Sequence, residues 1–392
     1  MRCSIIIFWI LLVVTAGSKL QAQTLINNNS LITITPGARV SVLGGALNNG
    51  DLDNNGVLSI SGDWMNVDTY NAGTGLFILN GASPQNVAHN GQDIHQLEIN
   101  GVGEKVFSSD VLIIDTLNLM EGIVTPQSGV IIQIMSGGAV MGGSDLSHIN
   151  GALYQEGTGP KYFPVGKNSN YRPVEMINVS GTNPVIGFEM FEPNSNPQAS
   201  INLIALSDTR YWQLIQLSGS YTGSPVKLKV MADENLGMVP DISDVAVTSS
   251  DQLSGVFTSM GQSLFTGSLQ DGEVTSNMPA LSAFYALGVE GLDEERSLYV
   301  PNALSPAAPD PEDRVIKVYG DQVVDQDFMF RIYNRWGKII YETDSFTEAN
   351  TVGWAGTNSQ EDESVGVYQY TVTGRFISGN TFKRNGSITL IR

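Results

Sequence analysis

The chain has 392 residues and a mass of 42.1 kDa, enough for two to four domains at roughly 100–200 residues each. Lys and Arg total 20 against 39 Asp and Glu, a net charge of −19, which argues against nucleic-acid binding because phosphate neutralisation needs clustered cations. Only 15% of residues are charged, there are 42 Gly, and three His with one Cys leave little material for metal or thiol chemistry; a β-rich, turn-rich, cofactor-free protein is expected.

The first element is Ile5 to Val14, ten apolar residues in a row, preceded by Met1-Arg2 and followed by small and polar residues up to Ala22-Gln23. A basic start, a short apolar run and a small-residue end predict a secretory signal at residues 1–22. Cleavage is expected after Ala22, with Ser18 as the alternative. The run is too short for a membrane span, which needs about 20 apolar residues. Cys3 lies within the segment, so the mature chain would hold no disulfide and no transmembrane span.

A loose repeat follows. Segments beginning at Leu31, Leu52, Leu76, Leu97, Leu117 and Gly137 are spaced by 21, 24, 21, 20 and 20 residues. Most open with alternating apolar residues and end in Gly, the pattern of a strand followed by a turn. Such a unit buries its apolar face only by stacking on its neighbours. Residues 23–150 are therefore expected to form a short parallel β-helix, with an antiparallel sandwich of accidental spacing as the alternative. Asp51-Leu52-Asp53-Asn54-Asn55-Gly56 opens like a calcium loop, but its twelfth position is Gly62 rather than a carboxylate, and its flanks are turn and strand. An accidental match is the expectation, and no metal site is assigned.

From residue 151 the strands lengthen. Val185 to Phe191, Arg210 to Leu217, Pro225 to Met231, Asp244 to Thr248 and Ser282 to Val289 alternate between turn-rich loops, predicting a β-sandwich over 151–289. Tyr211 and Trp212 are either a sugar-stacking platform or core, and core is the commoner fate of aromatics in an alternating strand. Residues 290–297 read as an acidic linker. No catalytic constellation emerges: His89 and His95 stand six apart, His148 is alone, and neither a nucleophile elbow nor a phosphate-binding Gly loop is present. Asp115-Thr116-Leu117 and Asp344-Ser345-Phe346 resemble short O-glycosylation acceptors.

The last 95 residues contain Val300-Pro301-Asn302-Ala303-Leu304-Ser305-Pro306, then Phe328 to Tyr333, the turn Asn334-Arg335-Trp336-Gly337 and Lys338 to Glu342. Trp354-Ala355-Gly356-Thr357, Gly366-Val367-Tyr368 and a terminal Ile388 to Arg392 follow. Several short strands in this span predict an Ig-like sandwich. These motifs, in this order, closely resemble the gliding motility-associated C-terminal domain, the type B sorting domain of type IX secretion in Bacteroidota, over residues 298–392. The resemblance implies an export address read by the outer-membrane machinery after passage through the periplasm. This chain departs from the family at Ala307 to Asp313, where a Gly/Asp-rich turn is usual, and at Ala355.

The expectation is thus an all-β, secreted or cell-surface, non-enzymatic protein with an adhesive or structural passenger. Glycan binding and a β-helix enzyme acting on polysaccharides are the alternatives.

Overall fold

The computed structural model describes residues 6–8, 12–14, 19–195, 197–237, 241–291, 298–321, 323–358, 361–376 and 381–392. Two compact units result, Met1–Glu290 and Gly291–Arg392; most of the predicted linker, residues 292–297, lies outside the described residues.

The first unit begins as a parallel β-solenoid of about seven turns. One of its sheets stacks Leu25–Ile34, Ala46–Asn54, Trp64–Asn66, Gln85–Ala88, Lys105–Phe107 and Val124–Pro126. The other stacks Arg39–Val42, Val57–Ile60, Leu76–Leu79, Asp93–Asn100 and Val111–Glu121. The backbone of Ile6–Phe8, Leu12–Val14 and Lys19–Ala22 pairs in parallel with the first of these coils. Alternation sends Ile32, Ile34, Leu52, Leu58, Ile60, Phe77 and Leu97 into a core that no single coil could enclose.

The repeat read from sequence mixed the two sheets. Ile32 pairs with Leu52 in the first sheet, whereas Phe77, Leu97 and Leu117 stack in the second. The 24-residue step from Leu52 to Leu76 is where the series crosses from one sheet to the other. Coil corners bring backbones close together. Gly122, at φ +107°, adopts a left-handed conformation in which a Cβ would collide with the Gly101 carbonyl oxygen.

No break separates solenoid from sandwich. Leu153–Glu156 pairs in parallel with Ile132–Ile134 and antiparallel with the second half of Val174–Phe191. That 18-residue strand also pairs, through its first half, with Gly159–Phe163 and Val226–Met231. It thereby belongs to both sheets of the sandwich. Tyr211–Gly223, Phe284–Glu290 and Val245–Ser250 extend one sheet, while Asp271–Ser276 and Gln262–Gly267 extend the other. One buried cluster runs from Leu25 to Val289. In Val226–Met231 the apolar residues Val226, Leu228 and Val230 are fully buried, and Lys227 on the opposite face pairs with Glu175 and Glu273 at 2.8 and 3.0 Å.

The second unit is built on a five-stranded sheet in the order Ala303–Leu304, Thr381–Leu390, Gly366–Phe376, Val323–Tyr333, Ile339–Thr343. Its buried face carries Phe330, Ile332, Val372, Ile388 and Leu390. The opposing layer is formed by bridged segments around Tyr299, Ile316 and Trp354 and by the six-residue helix Phe346–Thr351. The terminal strand is thus internal to the sheet, hydrogen-bonded along its length on one side. Among the described residues no helix is long and apolar enough to cross a membrane.

Candidate functional site

In the second unit the sorting-motif residues fall into two groups. Asn334 to Gly337 makes the tip of a hairpin: Asn334 Oδ1 accepts from the backbone N–H groups of Trp336 and Lys338 at 3.0 and 3.1 Å, and Gly337 sits at φ +77°. This geometry spends Asn334 and Gly337 on the turn and leaves Trp336 82% exposed, with the Arg335 guanidinium 5.7 Å from its ring. Beside it Gly366, Val367 and Tyr368 line a 160 Å³ recess with the hairpin tip; Val367 is exposed, and the Tyr368 hydroxyl donates to the Ser364 carbonyl at 2.5 Å.

The other group is structural. Trp354 is buried, donates from Nε1 to the Thr357 carbonyl at 2.8 Å and packs edge-on against Tyr368. Gly356, at φ +78°, faces Leu390, and Arg392 pairs with Asp362 at 2.8 Å. At the departure from the family pattern, Asp310 caps a 3-10 turn, and Glu312 binds Lys317 and Tyr319, which hold its carboxyl below the usual range.

In the first unit most residues singled out from sequence are spent on folding. Trp212 is fully buried and donates to the Arg172 carbonyl at 2.9 Å. It is therefore core and not a stacking platform. His89 is buried against Trp64, whose Nε1 donates to His89 Nδ1 at 2.9 Å. Burial pushes this imidazole down to about 4. His95 lies in the next strand, Asp93–Asn100, and is half-exposed, and His148 is buried with Nδ1 on the Ser144 carbonyl.

The calcium-like Asp51 to Gly56 does not form a loop through its acidic residues, because Asp51, Leu52 and Asp53 continue one strand. Leu52 and Asn54 point inward, and Asp53 accepts from Asn71 at 2.7 Å on the outside. Among the described residues no group of three or more His, Cys, Asp or Glu is placed to hold a metal ion. Thr116 is bonded to Asp115 at 3.1 Å, and Ser345 caps the helix at Phe346.

Three features were not placed residue by residue from the sequence, although its Asn runs fit ladders between stacked coils. The first is a buried ladder in which Asn27 donates to Asn48 and Asn48 to Asn66, each at 2.7 Å. The second is an ionic knot where loops of the sandwich meet: buried Arg210 binds Glu234 at 3.0 Å and also Asp233, while Arg172 reaches Asp233 at 3.0 Å. Burial pushes Glu234 up, whereas the two guanidiniums hold Asp233 down against its own desolvation.

The third is a cleft of about 550 Å³ between the last solenoid coils and the sandwich, lined by Gln127, Asn150, Tyr154, Lys167, Glu189 and Leu217 among others. Glu189 projects from the outer face of Val174–Phe191, since its neighbours Phe188 and Met190 are buried. Burial raises its carboxyl, and Lys167 partly opposes this. Phe191, two residues along on the same face, stacks on Tyr211 with ring centres 5.0 Å apart, and Phe284 continues the aromatic row. Alternation alone separates Tyr211, outside, from Trp212, inside.

A solenoid that merges into a sandwich, followed in sequence by a separate unit with an exposed hairpin tip, defines a β-rich passenger carrying a C-terminal module. Residues 298–390 match the CHU_C type IX secretion signal domain. The match supports export by type IX secretion to the cell surface or beyond, and contact with that machinery. No curated protein matches the chain.

Proposed function

We propose that this is a non-enzymatic surface or secreted protein whose first unit is an adhesive or structural passenger and whose second unit is its address. The observation that favours this is the outer wall of the solenoid. Polar side chains on successive coils bond one another there, Asn49 to Asn28 at 3.2 Å, Asn71 to Asp53 at 2.7 Å, Asn118 to Glu98 at 3.3 Å and Thr125 to Glu104 at 2.5 Å. Three of these bonds lie on the first sheet and Asn118–Glu98 on the second, so the stiff, acidic wall extends over both sheets, suited to spacing and contact. In an adhesion assay, cells lacking the chain should lose attachment that the full-length gene restores. Restored attachment from a chain lacking residues 24–150 would overturn the role of the wall.

The route begins with a signal at residues 1–22, cut after Ala22, which carries the chain to the periplasm. The exported protein should start at Gln23 by mass spectrometry; a cut after Ser18 would instead retain the Lys19–Ala22 strand against Arg39–Val42. At the outer membrane the hairpin tip is the face the machinery reads, because Trp336 has no folding task that would explain its exposure. Trp336→Ala should lower surface display while leaving the melting temperature unchanged. Trp354→Ala should lower both, because the lost core costs about 3–5 kcal/mol of stability. Full display of Trp336→Ala would remove the tip from the reading.

A further inference from the structure

We propose that the cleft between the last solenoid coils and the sandwich is a binding site for a neutral saccharide, with Glu189, Lys167, Tyr154 and Asn150 bonding hydroxyls and the Phe191–Tyr211 row stacking on ring faces. It goes beyond an adhesive wall, since it assigns a ligand class to one place on the passenger.

Four observations carry it. The cleft, at about 550 Å³, lies within the range of ligand sites, roughly 300–1,000 Å³. Its polar groups converge without serving the fold. Asn150 Oδ1 is buried with no hydrogen-bond partner, and a half-buried carboxylate such as Glu189 is costly unless something bonds it. Lys167 lies 5.8 Å from the centre of the Phe191 ring, so one cation and one aromatic face meet at the same edge.

The chemistry of the lining then selects the ligand. Glu189 and Asn150 Oδ1 accept, Lys167 donates, and the Tyr154 hydroxyl can do either. One acid and one base leave the cleft near neutral, which favours neither a polyanion nor a polycation. The chain's −19 charge further disfavours polyanions. Vicinal hydroxyls bridge a carboxylate well, and a sugar's C–H face matches an aromatic row beside it.

The test uses purified full-length chain in affinity electrophoresis through gels containing a β-1,4-glucan, a xylan, a mannan, an α-glucan or, as the polyanion arm, polygalacturonate. Retardation is expected in at least one neutral gel, weakened about tenfold or more by Glu189→Ala and severalfold by Tyr211→Ala. Glu189→Gln, which keeps the shape, should weaken it less. Both groups lie on the outer face, so the melting temperatures should stay near that of the parent. A large drop in melting temperature for Glu189→Ala shifts the comparison to Glu189→Gln and Tyr211→Ala, which must then both weaken retardation. The inference fails if no neutral gel retards the chain, if only polygalacturonate does, or if these variants bind as the parent does. Such a failure, with attachment still lost in deletion cells, would sink the saccharide site and leave the adhesive passenger standing.

Discussion

Asn48→Ala and Asn49→Ala separate the inside of the solenoid wall from its outside at adjacent positions. Asn48 is 1% exposed. It accepts from Asn27 at 2.7 Å and donates to Asn66 Oδ1 at 2.7 Å and to the Thr69 carbonyl at 2.8 Å. Removing its amide deletes three bonds worth about 1 kcal/mol each and strips the buried Asn66 Oδ1 of its donor, a further ~1–3 kcal/mol. The total is about 4–6 kcal/mol, concentrated on neighbouring coils because each coil touches only the next. Asn49 makes one exposed bond, to Asn28 at 3.2 Å, and its loss should cost no more than about 0.5 kcal/mol. Urea unfolding followed by circular dichroism measures the difference, and amide exchange across Ala46–Asn54 locates it. Equal costs at the two positions, or faster exchange spread evenly over the unit, would refute the ladder as a stabilising device.

Acidity should probe the Trp64–His89 bond. Burial lowers the His89 pKa from 6.5 to about 4, so the folded state holds the ring neutral, with its Nδ1 free to accept from Trp64. The unfolded chain then binds the extra proton between these values, so stability is complete above about pH 6.5 and falls by about 3 kcal/mol by pH 4. His89→Phe should be less stable at neutral pH and lack this part of the slope; an unchanged slope in the melting curves would contradict it. Removing residues 298–392 should leave the passenger folded, since its core is closed without them, yet absent from the surface by protease-shaving of whole cells. Undiminished surface display would contradict the export role.

Periodicity made the architecture legible. A 20-residue spacing of Leu and Gly identified stacked coils, and alternation in Val226–Met231 set which residues face the core. The same signal could not tell which sheet a coil strand belonged to, because both sheets repeat at similar spacing, so Leu52 and Leu76 read as neighbours although they lie in different sheets. Turn chemistry at Asn334 to Gly337 was legible because the requirement is local. The cleft was not. Glu189 meets Asn150 and Gln127 only because Val174–Phe191 joins the sandwich to the last coil, and no short-range pattern encodes that meeting. Arg172, Arg210 and Asp233 escaped for the same reason: 61 residues separate Arg172 from its carboxylate.

The two ends of the solenoid are closed by different means, and the difference bears on processing. At the far end Leu153–Glu156 accepts a parallel neighbour on one side and an antiparallel one on the other. Through this strand the coil stack passes into the sandwich, which removes that edge as a site for edge-to-edge aggregation, while Ala139–Gly142 stays as a short, exposed strand beside Val111–Glu121. At the near end the backbone of Ile6–Phe8 and Leu12–Val14 pairs with Leu25–Ile34, and that of Lys19–Ala22 with Arg39–Val42. There the Asn ladder ends on Asn27 Oδ1, which is buried and has no donor. Cleavage after Ala22 would expose this edge together with the unfilled acceptor. Water can satisfy both, but the first coil then has a stacked neighbour on one side only. The first coil would then be the least stable of the stack, and amide exchange should be fastest there in the processed chain.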